Sequence, residues 1–227
     1  MQYADFVVFP ELFTTGYNLR AEYAETEAGP VAKALSEFAR QQGSNVIGGS
    51  VIESKDGRLY NTAYVFGRDG SLVGRYSKKN LFRPLGEHEF FSSGLERRNN
   101  SGIFTLDGMK IGVMICYDLR FSDILLDMKH NCCSLIFCPM EWPEARIEVR
   151  ESFAKARAAE SHAYLVAANP TGCYAKEEKS VLAGRSSVAG PSGESVFMAG
   201  TAAGFYVVEV DLADIARVKE FFQAGAK

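Results

Sequence analysis

Residues 109–121 read Met109-Lys110-Ile111-Gly112-Val113-Met114-Ile115-Cys116-Tyr117-Asp118-Leu119-Arg120-Phe121. An apolar run of strand length delivers a cysteine into a short polar turn, and the segment from Phe121 to Lys129 then suits a short helix. Strand, turn and helix in that order place a thiol beside backbone N–H groups able to hold an oxyanion. Cys116 is therefore the candidate nucleophile. The competing reading is a small hydrophobe closing a strand, since free cysteines are commonly buried and inert.

Working outward, Gly102 to Leu106 pairs with Met109 to Cys116 around the turn dipeptide Asp107-Gly108, and Ser134 to Cys138 reads as a buried strand. Pro143 precedes a long charged helix reaching about His162, followed by a strand at Ala163 to Ala168. Asn169 to Gly184 reads as a loop, Ser186 to Met198 as a hairpin, Phe205 to Val210 as a last strand and Leu212 to Phe222 as a last helix. Upstream, Phe6 to Phe9 forms a strand ending at Pro10, and Val31, Leu35, Phe38 and Ala39 recur with helical spacing up to Gly43. Asn45 to Ile52, Tyr60 to Phe66 and Leu72 to Tyr76 are β-rich stretches separated by Asp56-Gly57 and Asp69-Gly70. Such tight turns forbid an all-parallel sheet, so the class is α/β, either mixed or layered α-β-β-α. The polar, irregular segment from Ser77 to Ser101 is long for a connection, and such loops are usually functional or disordered.

Composition narrows the function. The 227 residues are 47% hydrophobic and carry a formal net charge of −3, without the basic face a nucleic-acid binder needs. No apolar run reaches membrane-spanning length, and the N-terminus shows no secretory pattern. Five cysteines, an odd number, with no CxxC and only three histidines, favour reduced thiols in a cytoplasmic setting and assemble no zinc site. Cys132, Cys133, Cys138 and Cys173 read as packing residues.

Two further clusters carry chemistry. In Phe6-Val7-Val8-Phe9-Pro10-Glu11, a carboxylate follows an apolar strand and sits among aromatics, where desolvation raises its pKa toward the range of a general base. In Arg75-Tyr76-Ser77-Lys78-Lys79, a lysine pair closes a strand, and a lysine beside a thiol favours its ionised form and stabilises an oxyanion. The plainer readings are a loop carboxylate and a solvated lysine pair.

Glu11 in FPELFTTGY, Lys78 in YSKKNLF and Cys116 in GVMICYDLRF, in that order, resemble the Glu-Lys-Cys triad of the nitrilase, or carbon–nitrogen hydrolase, superfamily. The resemblance continues through GEHEFFSSG at 86–94, CPMEWPEAR at 138–146, ARAAESHAYLVAAN at 156–169 and GRSSVAGPSGE at 184–194, covering nearly the whole chain. The family pattern Tyr-x-Lys-x-His-Leu-Phe selects Lys78 over Lys79 and leaves Asn80 where the family usually has histidine. It also selects Glu87, with Glu89 the runner-up, as a second glutamate that positions substrate or lysine.

The resemblance implies a four-layer α-β-β-α sandwich with mixed sheets over residues 1–227, short of the family's usual first strand and helix. It implies thiol-dependent hydrolysis of a non-peptide C–N bond without metal or organic cofactor, with the oxyanion held by Lys78 and the backbone N–H of Tyr117. It also implies a homodimer or a higher homo-oligomer. The CYDLRF and EWP segments look most like the omega-amidase branch, which acts on monoamides of dicarboxylic acids and needs a cation for the distal carboxylate. Arg146, Arg120 and Arg185 are the available cations, Arg146 being the leading one. The alternatives are an N-carbamoyl amino acid amidohydrolase, a deaminated-glutathione amidase, or a non-catalytic binding protein on the same fold. A Cys-His pair would have to draw on His88, His130 or His162, none of which carries an adjacent signature. For Asp118 and Arg120 the expected role is to fix the turn after the nucleophile.

Overall fold

A computed structural model describes residues 4–174 and 177–224. The chain opens with strand β1 (Phe6–Val8), helix α1 (Pro30–Gln42), and strands β2 (Asn45–Ile47), β3 (Val51–Lys55), β4 (Arg58–Phe66) and β5 (Leu72–Ser77). A short helix, α2 (Glu87–Phe90), lies within the polar segment ahead of β6 (Ile103–Leu106) and β7 (Met109–Val113). A helical turn at Cys116–Arg120 leads to α3 (Ser122–His130), β8 (Leu135–Pro139), α4 (Ile147–Ser161) and β9 (Tyr164–Ala168). β10 (Thr171–Tyr174), β11 (Glu177–Ala183), β12 (Ser187–Ala189), β13 (Ser195–Met198) and α5 (Ala213–Ala224) follow.

Both sheets are mixed. In the first, β1 runs parallel to β2, and β4 pairs antiparallel with β2, β3 and β5. In the second, the order is β13-β12-β9-β8-β7-β6, with β7, β8 and β9 parallel and the outer pairs antiparallel. The α3 and α4 crossovers make that parallel centre possible, since parallel neighbours cannot be joined by a tight turn.

Alternation along the strands builds the layers. Val46, Tyr64 and Phe66 pack with Ala32, Leu35 and Ala39 of α1. Their neighbours Ile47, Ala63 and Val65 face the other way, joining Ile111, Val113, Leu135 and Phe137 of the second sheet. Phe6 and Phe137 meet between the sheets, their ring centroids 5.2 Å apart. Gly112 turns outward to α3, where a Cβ would come within 2.5 Å of the Met128 sulfur. The architecture is a four-layer α-β-β-α sandwich, as the resemblance implies.

Some local readings need correction. Asn45 to Ile52 is two strands, split at Gly48-Gly49-Ser50; Gly49 has φ +55° and its Hα side abuts the Pro10 carbonyl, a conformation a strand cannot continue through. Asn169 to Gly184 is a two-stranded ribbon, β10 with β11, rather than a loop; residues 175 and 176 lie outside the described residues. Phe205 to Val210 pairs with no strand among the described residues, and Phe205 is 94% exposed. Cys133 and Cys138 are buried as packing residues, whereas Cys132 and Cys173 are exposed. No described helix is long and apolar enough to cross a membrane.

Candidate active site

Glu11 follows β1, Lys78 follows β5, Cys116 follows β7 and Glu141 follows β8. Strands β1 and β5 run the same way, as do β7 and β8, so each sheet sends two functional side chains from one edge. The backbone ties the two edges together where the Glu11 N–H donates to the Met140 carbonyl at 3.2 Å, and within the first sheet the Lys78 N–H donates to the Asn61 carbonyl at 2.8 Å.

Three of the predicted residues form one buried cluster. Lys78 Nζ donates to Glu11 Oε1 at 2.8 Å and to Glu87 Oε1 at 2.7 Å, with all three side chains fully buried. Asn61 Nδ2 also donates to Glu11 Oε1, at 2.8 Å. Glu11 Oε2 is buried and makes no hydrogen bond among the described residues, leaving it open toward chemistry. Tyr17 Oη donates to Glu87 Oε1 at 2.5 Å, and the Phe82 N–H donates to Glu87 Oε2 at 2.6 Å, so Glu87 anchors Lys78 to two loops. Glu89 is exposed and lies against His88.

Cys116 joins this cluster with φ +45°, in the left-handed region that a residue with a Cβ rarely adopts. Asp118 holds that turn. Its carboxylate accepts from the Ile115 N–H at 3.1 Å and the Tyr76 hydroxyl at 2.8 Å, and from the Asn80 N–H and Nδ2 at 2.8 and 3.0 Å. The Cys116 turn and the Lys78 segment are thus fastened through one side chain, and Asn80 contributes two of the four bonds. Arg120 does not pair with Asp118; its guanidinium lies over the rings of Tyr117, Trp142 and Phe153.

Burial sets the protonation states. It raises the Glu11 carboxyl above its ordinary range, with Lys78 opposing and Glu87 adding to the rise. Burial, with repulsion from Glu11, pushes the Cys116 thiol well up despite Lys78. For Lys78 burial acts to lower the pKa, and attraction to Glu11, Glu87 and Cys116 overrides it, leaving the ammonium well above its usual value. The resting site therefore holds a neutral thiol beside a charged ammonium. Lys78 acts in the expected direction, favouring the ionised thiol, but burial and Glu11 outweigh it.

A cavity opens above the thiol, lined by Cys116, Tyr17, Phe82, Tyr117, Glu141 and Arg146, with Arg120 and Trp142 alongside. The Tyr117 ring packs on Phe82 and Phe121, with centroids 4.9 and 5.4 Å apart. Arg146 is exposed, its guanidinium 5.0 Å from the Phe82 ring centre. Arg185 is not at this cavity; its Nε lies 2.7 Å from Glu151.

Sequence reasoning passed over Glu141 and Asn61. Glu141 had a readable signal, because Ile136-Phe137-Cys138-Pro139-Met140-Glu141 repeats the strand, proline and glutamate order of Val7-Val8-Phe9-Pro10-Glu11. Asn61 is a buried amide in the interior of β4, a placement that calls for a partner.

Two facing sheets between helical layers, with a thiol, an ammonium and carboxyl groups gathered at their strand ends, have the fold of the nitrilase superfamily. The chain belongs to the carbon–nitrogen hydrolase family, whose model matches residues 1–220. It is 34% identical over 221 residues to a 2-oxoglutaramate amidase of Bacillus subtilis (strain 168), covering 96% of this chain and 83% of that protein. It is 32% identical over 232 residues to an omega-amidase of Xenopus tropicalis, covering 96% and 80%. Among solved structures, it matches a CN-hydrolase superfamily protein from Xanthomonas campestris with a TM-score of 0.84 at 26% identity, over 97% of this chain and 83% of that one.

Proposed function

We propose that this protein is a thiol-dependent amidase that releases ammonia from monoamides of dicarboxylic acids. The observation that carries the reading is the convergence of Glu11, Lys78 and Cys116 below a cavity rimmed by Arg146 and Arg120. Relatives described as a 2-oxoglutaramate amidase and an omega-amidase support the substrate class.

In this reading, Glu11 Oε2 takes the thiol proton as Cys116 Sγ attacks the amide carbon, so no standing thiolate is required. The negative oxygen that forms is held by Lys78 Nζ and the Tyr117 N–H. Glu11 returns the proton to nitrogen, the C–N bond breaks and ammonia leaves a thioester on Cys116. A water then loses a proton to Glu11 and attacks the thioester, and the proton passes to sulfur as the acid departs. Glu87 positions Lys78, and Arg146 binds the distal carboxylate.

The test is ammonia release from glutaramate, succinamate and the uncharged butyramide by wild type and Cys116→Ala. Wild type is expected to prefer the two carboxylate-bearing amides, and Cys116→Ala to be inactive. Undiminished turnover by Cys116→Ala overturns the thiol mechanism, while a preference for butyramide overturns the dicarboxylate reading and leaves an amidase of other specificity.

A further inference from the structure

Glu141 has no part in the mechanism above, yet it stands at the reacting centre. It is 4% exposed, lines the same cavity as Cys116, and has its backbone N–H directed at the Cys116 sulfur. Its Oε1 lies 3.6 Å from where a Cβ on Gly16 would stand, so the carboxyl group is tucked against the loop that carries Glu11 and Tyr17.

Charge counting decides its state. Among the described residues, Glu11, Glu87 and Glu141 share one buried region with one ammonium, Lys78, which hydrogen-bonds Glu11 and Glu87. The Tyr17 backbone N–H donates to the Glu141 carboxyl, Cys138 and Asp118 also act on Lys78, and the Tyr17 hydroxyl and the Cys116 thiol are neutral because burial pushes them up. The guanidiniums of Arg120 and Arg146 belong to exposed residues and lie over aromatic rings at the mouth. Burial and the charge of Glu11 disfavour a third carboxylate here by more than Lys78 and the Tyr17 N–H favour it, and a buried acid in that position keeps its proton.

We propose that Glu141 is a specificity-determining residue of this cavity, an uncharged carboxyl group beside the nucleophile that hydrogen-bonds the amide of the bound substrate. The inference rests on the reading that an amide binds over Cys116. A carboxylic acid offers one O–H donor and one carbonyl acceptor, the complement of a primary amide's carbonyl and N–H. Burial, reinforced by Glu11, raises the Glu141 carboxyl to about 9. The group is therefore neutral below that pH, and above it becomes an anion facing Glu11 and the developing oxyanion.

Wild type, Glu141→Gln and Glu141→Leu are compared on glutaramate from pH 6 to 10, with circular dichroism confirming the fold. Glutamine keeps a neutral donor and acceptor, and leucine keeps only the volume. At pH 7.5 the leucine variant is expected to lose about tenfold or more in kcat/KM, mainly through KM, with glutamine restoring it to within about threefold. Above pH 9 the wild type is expected to lose activity faster than Glu141→Gln. A leucine variant equal to wild type, a glutamine variant as poor as leucine, or the same alkaline decline in wild type and glutamine overturns the proposal.

Alkylation supplies a readout that needs no turnover. The rate of Cys116 modification by iodoacetamide, divided by that with methyl methanethiosulfonate, which carries no amide, is expected to fall about fivefold or more in Glu141→Leu and to hold in Glu141→Gln. An unchanged ratio in Glu141→Leu overturns the proposal. A wild type inert on every amide but showing this change in ratio overturns the functional reading alone.

Discussion

At the scale of single residues, the site is a problem of protons in a buried volume. Lys78 makes two charge-assisted bonds of 2.7 and 2.8 Å, and its ammonium is stable there because both acceptors are carboxylates. Burial and Glu11 outweigh that charge at the thiol, which stays protonated, so in the mechanism proposed above turnover depends on Glu11 Oε2, the oxygen left over by Lys78 and Asn61. Glu11→Gln preserves shape and the bonds to Asn61 but cannot accept the thiol proton. Its kcat on glutaramate is expected to fall about 10²- to 10⁴-fold with little change in thermal unfolding. A fall under about tenfold would show that another group takes the proton. The chemical type of each residue was readable, since a carboxylate, a lysine and a cysteine each close an apolar strand. Their protonation was not, because burial and mutual distance set it, and neither exists in an unfolded string of residues.

At the scale of elements, the short connections after the strands do the positioning. The segment after β5 is held by Gly94, whose N–H donates to the Lys78 carbonyl at 2.8 Å. A Cβ on Gly94 would stand 2.0 Å from the Ser77 carbonyl and 2.6 Å from Asn100 Nδ2, too close for either to remain in place. Gly94→Ala is therefore expected to move the Lys78 backbone. The expected outcome is at least a tenfold loss of kcat/KM with an unfolding free energy from urea titration lowered by about 1–3 kcal/mol, the range of backbone and overpacking strain. Wild-type activity in that variant would show that the loop absorbs the shift elsewhere. The strands and helices themselves were largely legible: β1, β4, β5, β7, β8 and β9 and all the helices of more than four residues fall where alternation, helical spacing and turn dipeptides place them. The misses have local causes. β10 and β11 lie in a segment with weak alternation whose pairing partners are each other, and Phe205 to Val210 has strand composition without a neighbour to pair with.

At the scale of the whole molecule, two sheets must face each other for the four strand ends to meet. The contact is made by side chains such as Phe137, which is 2% exposed and packs on Phe6 across the gap. Phe137→Ala is expected to cost about 3–5 kcal/mol in urea unfolding, the range for deleting a buried aromatic ring. A cost below about 1 kcal/mol would mean that the layer closes around the cavity. By itself, the sequence determined the periodicities, the antiparallel hairpins, the candidate nucleophile and, through the ordered motifs around Glu11, Lys78 and Cys116, the family. Those are properties of neighbours along the chain and of residue type. The tertiary structure alone decided that Asn61, Tyr17 and Asp118 brace the cluster, that Arg146 and Arg120 reach the cavity while Arg185 does not, and that Glu141 stands beside the thiol. Each of those facts is a meeting of segments tens of residues apart, brought about by burying the inner faces of two sheets against each other.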